Sequence, residues 1–425
     1  MKKTWKKGAL HTHTLWSDGR SLPETVLKTY RDRGFDFVCL SDHNIFPERE
    51  NFYLPVAPEE GPWPPMACRA ELERAQAALP GSIVTEKIAV RRFVKLKTYA
   101  ELRREFEAPG KFLVVPGEEI TLMGEPYPCG NDRARADYHI NIFNLACDLP
   151  ILHGEDALDA VTLNLHSYER AAKESNSRSF AMLNHPFWRY WDIDPRILVE
   201  RPEFRHFEIC NNGADRGTPA ADLFSVEQFW DFVLAHRLSQ GKPLLYATAS
   251  DDLHFCDPER INSPAGCELG WVMVNVPGEF TAEAIVDAMD NGDYYATCGA
   301  LLEEIDFDRA SGTLHVKAQT EPGVNYRVEF IATKRDFDRS IVEREYPDEG
   351  RYTRILPVIN DTIGKVVSTV DGPEASYTLS DDDLYVRAVV ITDRPGKIAS
   401  RFYPATARAW TQPFTPRRRG GCPEA

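Results

Sequence analysis

The sequence predicts a mixed α/β protein, with a barrel-like α/β domain over about residues 1–300 and an all-β domain over about residues 301–425. The first observation behind this is a recurring unit of amphipathic helix, glycine and short apolar strand. The second is that polar clusters follow these strands. Repeated units of this kind favour parallel strands, and barrel enzymes carry their chemistry at the carboxyl ends of the strands. A doubly wound open sheet is the alternative, because sequence does not establish closure.

The first unit illustrates the pattern. Ser21 and Glu24 predict a capping box at the start of a helix, and Gly34 predicts its end. The apolar run Phe35–Leu40 then predicts a strand, and the polar cluster Ser41–Asn44 follows it.

Later units repeat the pattern with varying clarity. Helices ended by a glycine and followed by a strand are predicted at Tyr99–Glu107 with Phe112–Val115, Ser225–Ser239 with Leu244–Ala249, and Thr281–Asp290 with Tyr294–Thr297. Strands without so clear a preceding helix are predicted at Tyr138–Leu145, Phe180–Leu183 and Phe207–Cys210.

The pattern of apolar and polar residues changes after Gly299. Short alternating runs separated by turn residues predict a small β-sandwich, with strands at Leu314–Ala318, Tyr326–Ala332, Tyr352–Ile359 and Leu384–Thr392. Residues 46–110 form a long insertion in the first domain. A lid or pocket wall and a plain surface excursion are both open interpretations of it.

The composition limits the possible partners. The chain has 425 residues, a formal net charge of -15 and a sequence pI near 5.3. Such a field repels nucleic acids and anionic lipid, so we expect neither a nucleic-acid polymer nor a membrane as partner. We expect a small-molecule substrate; an anionic one would have to be attracted locally, by metals or a few arginines. A homo-oligomer formed through the β domain is open.

The cysteines and the apolar runs indicate a location. The nine cysteines are scattered and odd in number, which favours reduced core residues over a disulfide framework. No apolar run is long enough for a bilayer, and the N-terminal lysines are not followed by the apolar region of a signal peptide. We therefore expect a cytoplasmic protein.

Six of the eleven histidines fall at or beside predicted strand ends, together with three acidic residues. His11 and His13 are two residues apart, so on a strand they point to the same side, and Asp252 and His254 repeat this spacing. The remaining candidates are Asp18, His43, Glu119, His139 and His185. Imidazole and carboxylate suit Zn, Mn or Fe, and nine candidate ligands suit two or three divalent ions.

The candidates lie in seven ordered motifs: His11-Thr12-His13, Ser17-Asp18-Gly19, Ser41-Asp42-His43, Pro116-Gly117-Glu118-Glu119, His139, Asn184-His185-Pro186 and Asp252-Leu253-His254. Across nearly all of residues 8–299, these motifs resemble the PHP (polymerase and histidinol phosphatase) family of metal-dependent phosphoesterases. A looser likeness to the CehA/McbA-like branch comes from Gly292-Asp293-Tyr294-Tyr295-Ala296-Thr297, the β domain that follows, and Trp410-Thr411-Gln412-Pro413.

The resemblance implies a distorted (β/α)7 barrel with a trinuclear metal site. One ion would take His11, His13, Glu119 and Asp252, and a second would take Glu119, His139 and His185. A third would take Asp18, His43 and His254, with Asp18 standing where many relatives have a histidine. The choice of Glu119 over Glu118 follows the family pattern Gly-x-Glu.

The favoured function is a phosphoesterase that acts on a small phosphorylated molecule through a hydroxide bridging two ions. The predicted catalytic residues are Glu119, Asp252, His254 and Arg189. Arg189 is a candidate phosphate clamp, and a surface arginine is the equal alternative. The alternative functions are hydrolysis of a carboxyl ester, carbamate or amide, and a non-catalytic metal-binding module.

Overall fold

A computed structural model describes residues 3–58, 67–126, 135–187, 193–211, 224–263, 265–348, 352–397 and 406–416. Arg189 and two of the nine cysteines, Cys129 and Cys422, lie outside these ranges. The described cysteines are all free thiols; Cys68 and Cys147 are only partly buried, and the others are core residues as predicted.

The helices in these ranges are α1 (Pro23–Asp32), α2 (Arg69–Ala78), α3 (Tyr99–Phe106), α4 (Ala157–Ser175), α5 (Pro195–Glu200), α6 (Val226–Ser239) and α7 (Ala282–Asp290). The strands before residue 300 are β1 (Trp5–Ala9), β2 (Phe37–Leu40), β3 (Phe52–Ala57), β4 (Ala67–Cys68), β5 (Thr85–Ile88), β6 (Arg91–Leu96), β7 (Leu113–Pro126), β8 (Arg135–Phe143), β9 (Phe180–Leu183), β10 (His206–Asn211), β11 (Tyr246–Ser250), β12 (Trp271–Asn275) and β13 (Tyr294–Thr297). The later strands are β14 (Leu302–Asp308), β15 (Thr313–Ala318), β16 (Tyr326–Lys334), β17 (Val342–Asp348), β18 (Tyr352–Val358), β19 (Lys365–Asp371), β20 (Glu374–Thr378), β21 (Asp383–Pro395) and β22 (Thr406–Thr411).

The helix starts are mostly those the sequence predicts. Complete capping boxes open α3 at Thr98 and α6 at Ser225. The capping box predicted at Ser21 is wrong: α1 has Leu22 as its N-cap and no side-chain cap. The Ser21 hydroxyl instead accepts a hydrogen bond from the backbone of Cys256, so a tertiary contact takes the place of the local one. None of the described helices is both long and apolar enough to cross a bilayer.

Two helices that the sequence analysis missed restore the alternation of helix and strand. Asp156 caps α4, which precedes β9, and Asp194 caps α5, which precedes β10. In each case a carboxylate accepts a hydrogen bond from a backbone N–H of the first turn, as a helix start requires.

The largest sheet has 13 strands in the order β11-β10-β9-β8-β7-β2-β1-β12-β13-β22-β21-β16-β19 among the described residues. Its neighbours β1–β2, β2–β7, β9–β10 and β10–β11 are parallel, as predicted. The expectation of parallel strands throughout is wrong at β13, which runs antiparallel to both β12 and β22, and at β8, which runs antiparallel to both β7 and β9. A parallel neighbour needs a crossover of about a dozen residues or more, and only residues 127–134 join β7 to β8.

A regular (β/α)7 barrel is not what these sheets show. The second ladder partner of β1 is the antiparallel β12, so the sheet continues past β1 instead of closing through a full ladder with β11. An isolated parallel bridge between Thr12 and Leu253 does bring together the segments that follow β1 and β11. The fold is therefore mixed α/β and rich in strands. The segments that follow β1 and β11 lie side by side.

Beyond residue 300, every regular element in the described ranges is a strand. The sheet β14-β15-β20 packs through Leu314 and Val316 onto apolar side chains of β16 and β21, such as Val328 and Val386. The late strand β22 pairs with β13 on one side and with β21 on the other. One sheet thus runs through both halves of the chain.

The insertion has its own sheet, in the order β4-β3-β6-β5, and carries α2 and α3. Its apolar side chains form a cluster with Leu15 and Trp16 of the main body. The indole of Trp16 stacks on Phe52 at 5.2 Å and donates a hydrogen bond to the carbonyl of Lys97 at 3.0 Å. The insertion therefore packs against the loop that leads to Asp18.

A buried ion pair joins α6 to β21. The Asp231 carboxylate accepts hydrogen bonds from Arg387 at 2.8 and 2.7 Å and from the Tyr385 hydroxyl at 2.8 Å. Asp231 is 2% exposed and Arg387 is 1% exposed, so solvent does not replace either partner.

We predict that Asp231→Ala destabilises the protein by about 3–5 kcal/mol, because the buried Arg387 guanidinium loses its hydrogen-bonded counter-ion and keeps only the more distant Glu227 carboxylate at 3.6 Å. Urea unfolding measures the change. Asp287→Ala is the control, since Asp287 forms an ion pair with Arg178 at the surface and such pairs contribute about 0–1 kcal/mol. Equal losses in the two variants would contradict the assignment.

A second prediction concerns pH. Burial raises the pKa of Glu24 from 4.5 to about 7, against the opposing effect of Lys97, whose Nζ lies 3.4 Å away. Because the folded state favours the protonated carboxyl, its contribution to stability is complete below about pH 4.5 and is lost as pH rises through about 7. Glu24→Gln lacks this titration. The unfolding free energy of Glu24→Gln minus that of wild type should therefore increase with pH across that range, by at most about 1.4 kcal/mol per pH unit. A difference in unfolding free energy between the two proteins that stays constant from about pH 5 to pH 8 would refute this prediction.

Candidate metal centre

The nine candidate ligands, far apart in sequence, come together at one end of the strands β1, β2, β7, β8, β9 and β11. His11 and His13 follow β1, His43 follows β2, and Glu119 lies within β7. His139 lies within β8, His185 follows β9, and Asp252 and His254 follow β11; Asp18 lies in the loop after β1.

Glu119 lies at the centre of this group and is fully buried. Its carboxylate oxygens lie 3.1 Å from His11 Nε2, 3.3 Å from His13 Nε2, 2.7 Å from His43 Nδ1, 3.0 Å from His139 Nδ1 and 3.6 Å from His185 Nε2. One carboxylate thus reaches five imidazoles that come from four different segments of the chain, because His11 and His13 lie in the same one.

The two aspartates complete the cluster. Asp252 Oδ1 lies 3.1 Å from His13 Nε2 and 3.4 Å from His11 Nε2. Asp18 Oδ1 lies 3.2 Å from His254 Nε2 and 3.5 Å from His43 Nε2. Asp252 has a φ of 49°, a left-handed conformation that aspartate tolerates better than most residues and that is often found at functional sites.

Three groups in the described residues could each hold an ion, with donor atoms within 4.8 Å of one another. They are His11, His13 and Asp252; His13, Asp18, His43 and His254; and His43, Glu119 and His139. The first two resemble the implied first and third sites. In the third group His43 takes the place expected for His185, which belongs to none of the three groups.

The arrangement of the donor atoms suits binding to divalent cations better than it suits hydrogen bonding among the donors themselves. His13 Nδ1, Asp18 Oδ1 and Glu119 Oε2 are buried and form no hydrogen bond of acceptable geometry with the described residues. His11 Nε2 and His13 Nε2 are only 3.1 Å apart. Buried polar atoms without partners cost about 1–3 kcal/mol each, and a cation shared by these lone pairs would remove that cost.

The protonation states favour metal binding where ligands must be deprotonated. Burial raises the pKa of Glu119, but His11 and His43 outweigh it and hold the pKa well below 4.5. Burial, with the nearby His43 and His254, lowers the pKa of His13 to about 4. An ionised carboxylate and a neutral imidazole are the forms that bind metal.

His11 behaves differently from His13 in the metal-free chain. Burial lowers its pKa, but the Asp252, Glu119 and Glu208 carboxylates raise it well above 6.5. Metal binding at His11 would therefore displace a proton.

Adjacent glutamates are separated by the alternation of β7. Glu119 faces the cluster, whereas Glu118 accepts a hydrogen bond from the backbone N–H of Leu149 at 3.0 Å. Burial raises the pKa of Glu118 to about 8, so it is largely neutral at pH 7. The structure thus brings the glutamate expected from the Gly-x-Glu pattern into the cluster.

Sequence reasoning missed Glu208, a buried carboxylate in β10 whose Oε1 lies 2.9 Å from His11 Nδ1. The available signal was a glutamate inside the otherwise apolar run Phe207–Cys210. It also assigned no role to the Asn184 amide, which donates to Glu119 Oε1 at 2.7 Å. The predicted clamp Arg189 lies outside the described residues, so its position relative to the cluster stays a prediction.

We predict that Glu119→Gln lowers the bound metal by most of its content, because the amide removes the central negative charge and half of its acceptor capacity. Elemental analysis of the purified protein measures this. Glu118→Gln is the matched control, because the Glu118 side chain points away from the cluster. This variant should retain metal at the wild-type level. Equal metal content in both variants would be incompatible with a central role for Glu119.

No family model and no curated protein matches this chain. Among solved structures it is similar to a two-domain protein from Bacteroides vulgatus, described as containing a predicted PHP-like metal-dependent phosphoesterase (TM-score 0.39, 15% identity, covering 89% of this chain and 96% of that one). It is similar to a candidate metal-dependent phosphoesterase from Bifidobacterium adolescentis (TM-score 0.30, 13% identity, 68% and 97% covered). It is also similar to an amidohydrolase from Chromobacterium violaceum solved with bound sulfate and no metal (TM-score 0.27, 14% identity, 58% and 87% covered). The chain's structural neighbours thus include the PHP-like proteins that its motifs resemble, and the CehA/McbA-like branch stays a prediction.

Proposed function

We propose that this protein is a metal-dependent hydrolase that cleaves phosphate esters of small molecules. The observation that carries the proposal is the convergence of six imidazoles and three carboxylates around Glu119, which reaches five of those imidazoles within 3.6 Å. A merely structural histidine cluster would need no such number of buried carboxylates with unsatisfied oxygens.

The proposed ligand sets are those that the resemblance implies, with Zn, Mn or Fe as two or three divalent ions. When bound, such ions activate water at neutral pH and stabilise the negative charge that develops on a phosphoryl group. Glu119, Asp252 and His254 would hold and orient the ions, and Arg189 would clamp the phosphate.

The burial of the donors supports one direction of substrate entry. His11, His13 and Glu119 side chains are 0% exposed, whereas those of Asp18, His43 and His254 are 20–22% exposed. A substrate would therefore meet the Asp18–His43–His254 group first. The inner donors His11, His13 and Glu119 would stay shielded from bulk water, and this low exposure strengthens electrostatic interactions among them.

The charge balance supports an anionic substrate. Three divalent ions would bring more positive charge than the Asp18, Glu119, Asp252 and Glu208 carboxylates remove, whereas two ions would only balance these carboxylates. The rest of the chain is strongly negative, with a formal net charge of -15, so the centre loaded with three ions would be a local positive region.

We also propose that β1, β2 and β7–β11 form a distorted seven-stranded barrel around this centre. The Thr12–Leu253 bridge supports this, together with the backbone hydrogen bond from His13 N to Leu253 O at 2.9 Å. The domain boundary near residue 300 and the cytoplasmic location remain part of the same proposal.

Hydrolysis of a carboxyl ester, carbamate or amide is the second candidate. In the described ranges, every ion-pair partner of Asp18, Glu119 and Asp252 is a histidine. The same ions could polarise a carbonyl oxygen, which these contacts do not disfavour.

The assay that tests the proposal uses p-nitrophenyl phosphate, bis(p-nitrophenyl) phosphate and p-nitrophenyl acetate, with Mn, Zn or Fe added. We expect turnover of a phosphate substrate. Asp252→Ala should lower it by more than the roughly 10- to 100-fold that loss of an outer contact causes, because Asp252 is proposed to hold an ion directly. Glu118→Gln serves as control and should keep wild-type activity.

Each other outcome has a defined meaning. Turnover of the acetate alone would favour the second candidate. Full metal loading without turnover of any substrate would favour a non-catalytic metal-binding module.

A further inference from the structure

Glu208 lies behind the metal centre, on the side of His11 that faces away from the other donors. It is 1% exposed, within the strand β10, and belongs to none of the three candidate metal groups. Its carboxylate has partners on both oxygens, which raises the question of what this buried charge does.

The first oxygen defines the state of His11. Glu208 Oε1 lies 2.9 Å from His11 Nδ1 and also accepts a hydrogen bond from the Ser250 hydroxyl. An ionised carboxylate only accepts hydrogen bonds, so Nδ1 carries the proton. The lone pair of a neutral His11 is then on Nε2, the atom that lies near His13, Glu119 and Asp252.

The second oxygen fixes a different histidine. Glu208 Oε2 accepts hydrogen bonds from the backbone N–H of His185 at 2.9 Å and from the Asn211 amide at 2.7 Å. His185 has a φ of 20°, at the margin of the left-handed region, so its backbone needs such support. One side chain therefore contacts two candidate ligands from different strands.

We propose that Glu208 is a positioning residue that presents His11 to the metal in its Nδ1–H tautomer and holds the backbone of His185. This role rests on the proposed function, because it concerns how firmly the centre binds its ions. Carboxylates behind histidine ligands generally fix the tautomer and the ring orientation, and losing them weakens metal binding about 10- to 100-fold.

Glu208→Gln is the informative variant because glutamine has nearly the same shape but only one acceptor oxygen. If its NH2 faces His11, Nδ1 must accept and the ring proton moves to Nε2, where it blocks the lone pair. If its NH2 faces the other way, the His185 N–H loses its acceptor. In both arrangements one candidate ligand is no longer held as in the wild type.

The first measurement is metal affinity. The chelator-stripped proteins are titrated with Zn²⁺ in competition with a chromophoric chelator, and melting curves of the same samples report folding. We expect about 10- to 100-fold weaker binding for Glu208→Gln. Glu118→Gln, another buried glutamate beside the centre, should bind as wild type does. Ser250→Ala removes a buried partner of Glu208 but leaves its contact with His11, and it should also stay near wild type.

The second measurement is the tautomer of neutral His11 in the metal-free protein, read from long-range ¹⁵N–¹H spectra of histidine-labelled samples at a pH above the raised pKa of His11. We expect the Nδ1–H pattern in wild type and its loss or mixing in Glu208→Gln. Glu208→Asp keeps the charge on a shorter side chain. It should keep the tautomer and bind metal with intermediate affinity, and it serves in place of Glu208→Gln if that variant does not fold.

The outcomes separate this role from the proposed function. A wild type that binds no ion overturns both. A wild type that binds Zn²⁺ while Glu208→Gln binds equally well, or while Ser250→Ala weakens binding as much as Glu208→Gln does, overturns the role of Glu208 alone.

Discussion

The carboxylate of Glu119 is an ionised group with 0% exposure, and the arrangement around it follows from that fact. Removing a charge from water costs several kcal/mol unless partners compensate it. Here the partners are imidazoles from four segments, so β7, which carries Glu119, must lie near β1, β2, β8 and β9 for the charge to be tolerated. The sheet order and the candidate centre are therefore two aspects of one constraint.

An acidic residue directly precedes three of the donors and has a different task from the donor. Asp42 precedes His43, Glu118 precedes Glu119, and Asp251 precedes Asp252. In each pair the first residue turns away from the cluster and binds the backbone of a loop or strand end.

These preceding residues hold the loops that carry the donors. Asp42 accepts hydrogen bonds from the backbone and hydroxyl of Thr14 and from Ser17, which fixes the loop leading to Asp18. Asp251 accepts three backbone N–H groups of residues 268–270. Such anchoring reduces the freedom of the site and keeps the donors within reach of shared ions.

Local signals explain what could be predicted from the sequence. The strands Phe180–Leu183 and Tyr294–Thr297 have the predicted bounds. Glycine or polar residues on either side of a short apolar run mark where the strand begins and ends. The spacing of His11 and His13, and the polar residues at strand ends, placed the candidate site before any contact was known. These signals depend only on neighbouring residues.

What the sequence did not reveal depends on distant contacts. The antiparallel direction of β8 is settled by its pairing with β7 and β9, and the Ser21 hydroxyl, predicted to cap α1, instead accepts a hydrogen bond from Cys256, more than 200 residues away. Glu208 resembles an ordinary interruption of an apolar strand until the fold brings His11 to it. Pairing partners of this kind have no signature within a window of sequence.

The place of β22 has a consequence for biogenesis. Thr406–Thr411 fills the gap between β13 and β21, so during translation the edge of β13 waits for a segment made more than 100 residues later. Until then an open row of backbone donors and acceptors is available to other chains. The nascent polypeptide therefore exposes this edge to aggregation until β22 emerges from the ribosome, and chaperone protection would matter in that interval.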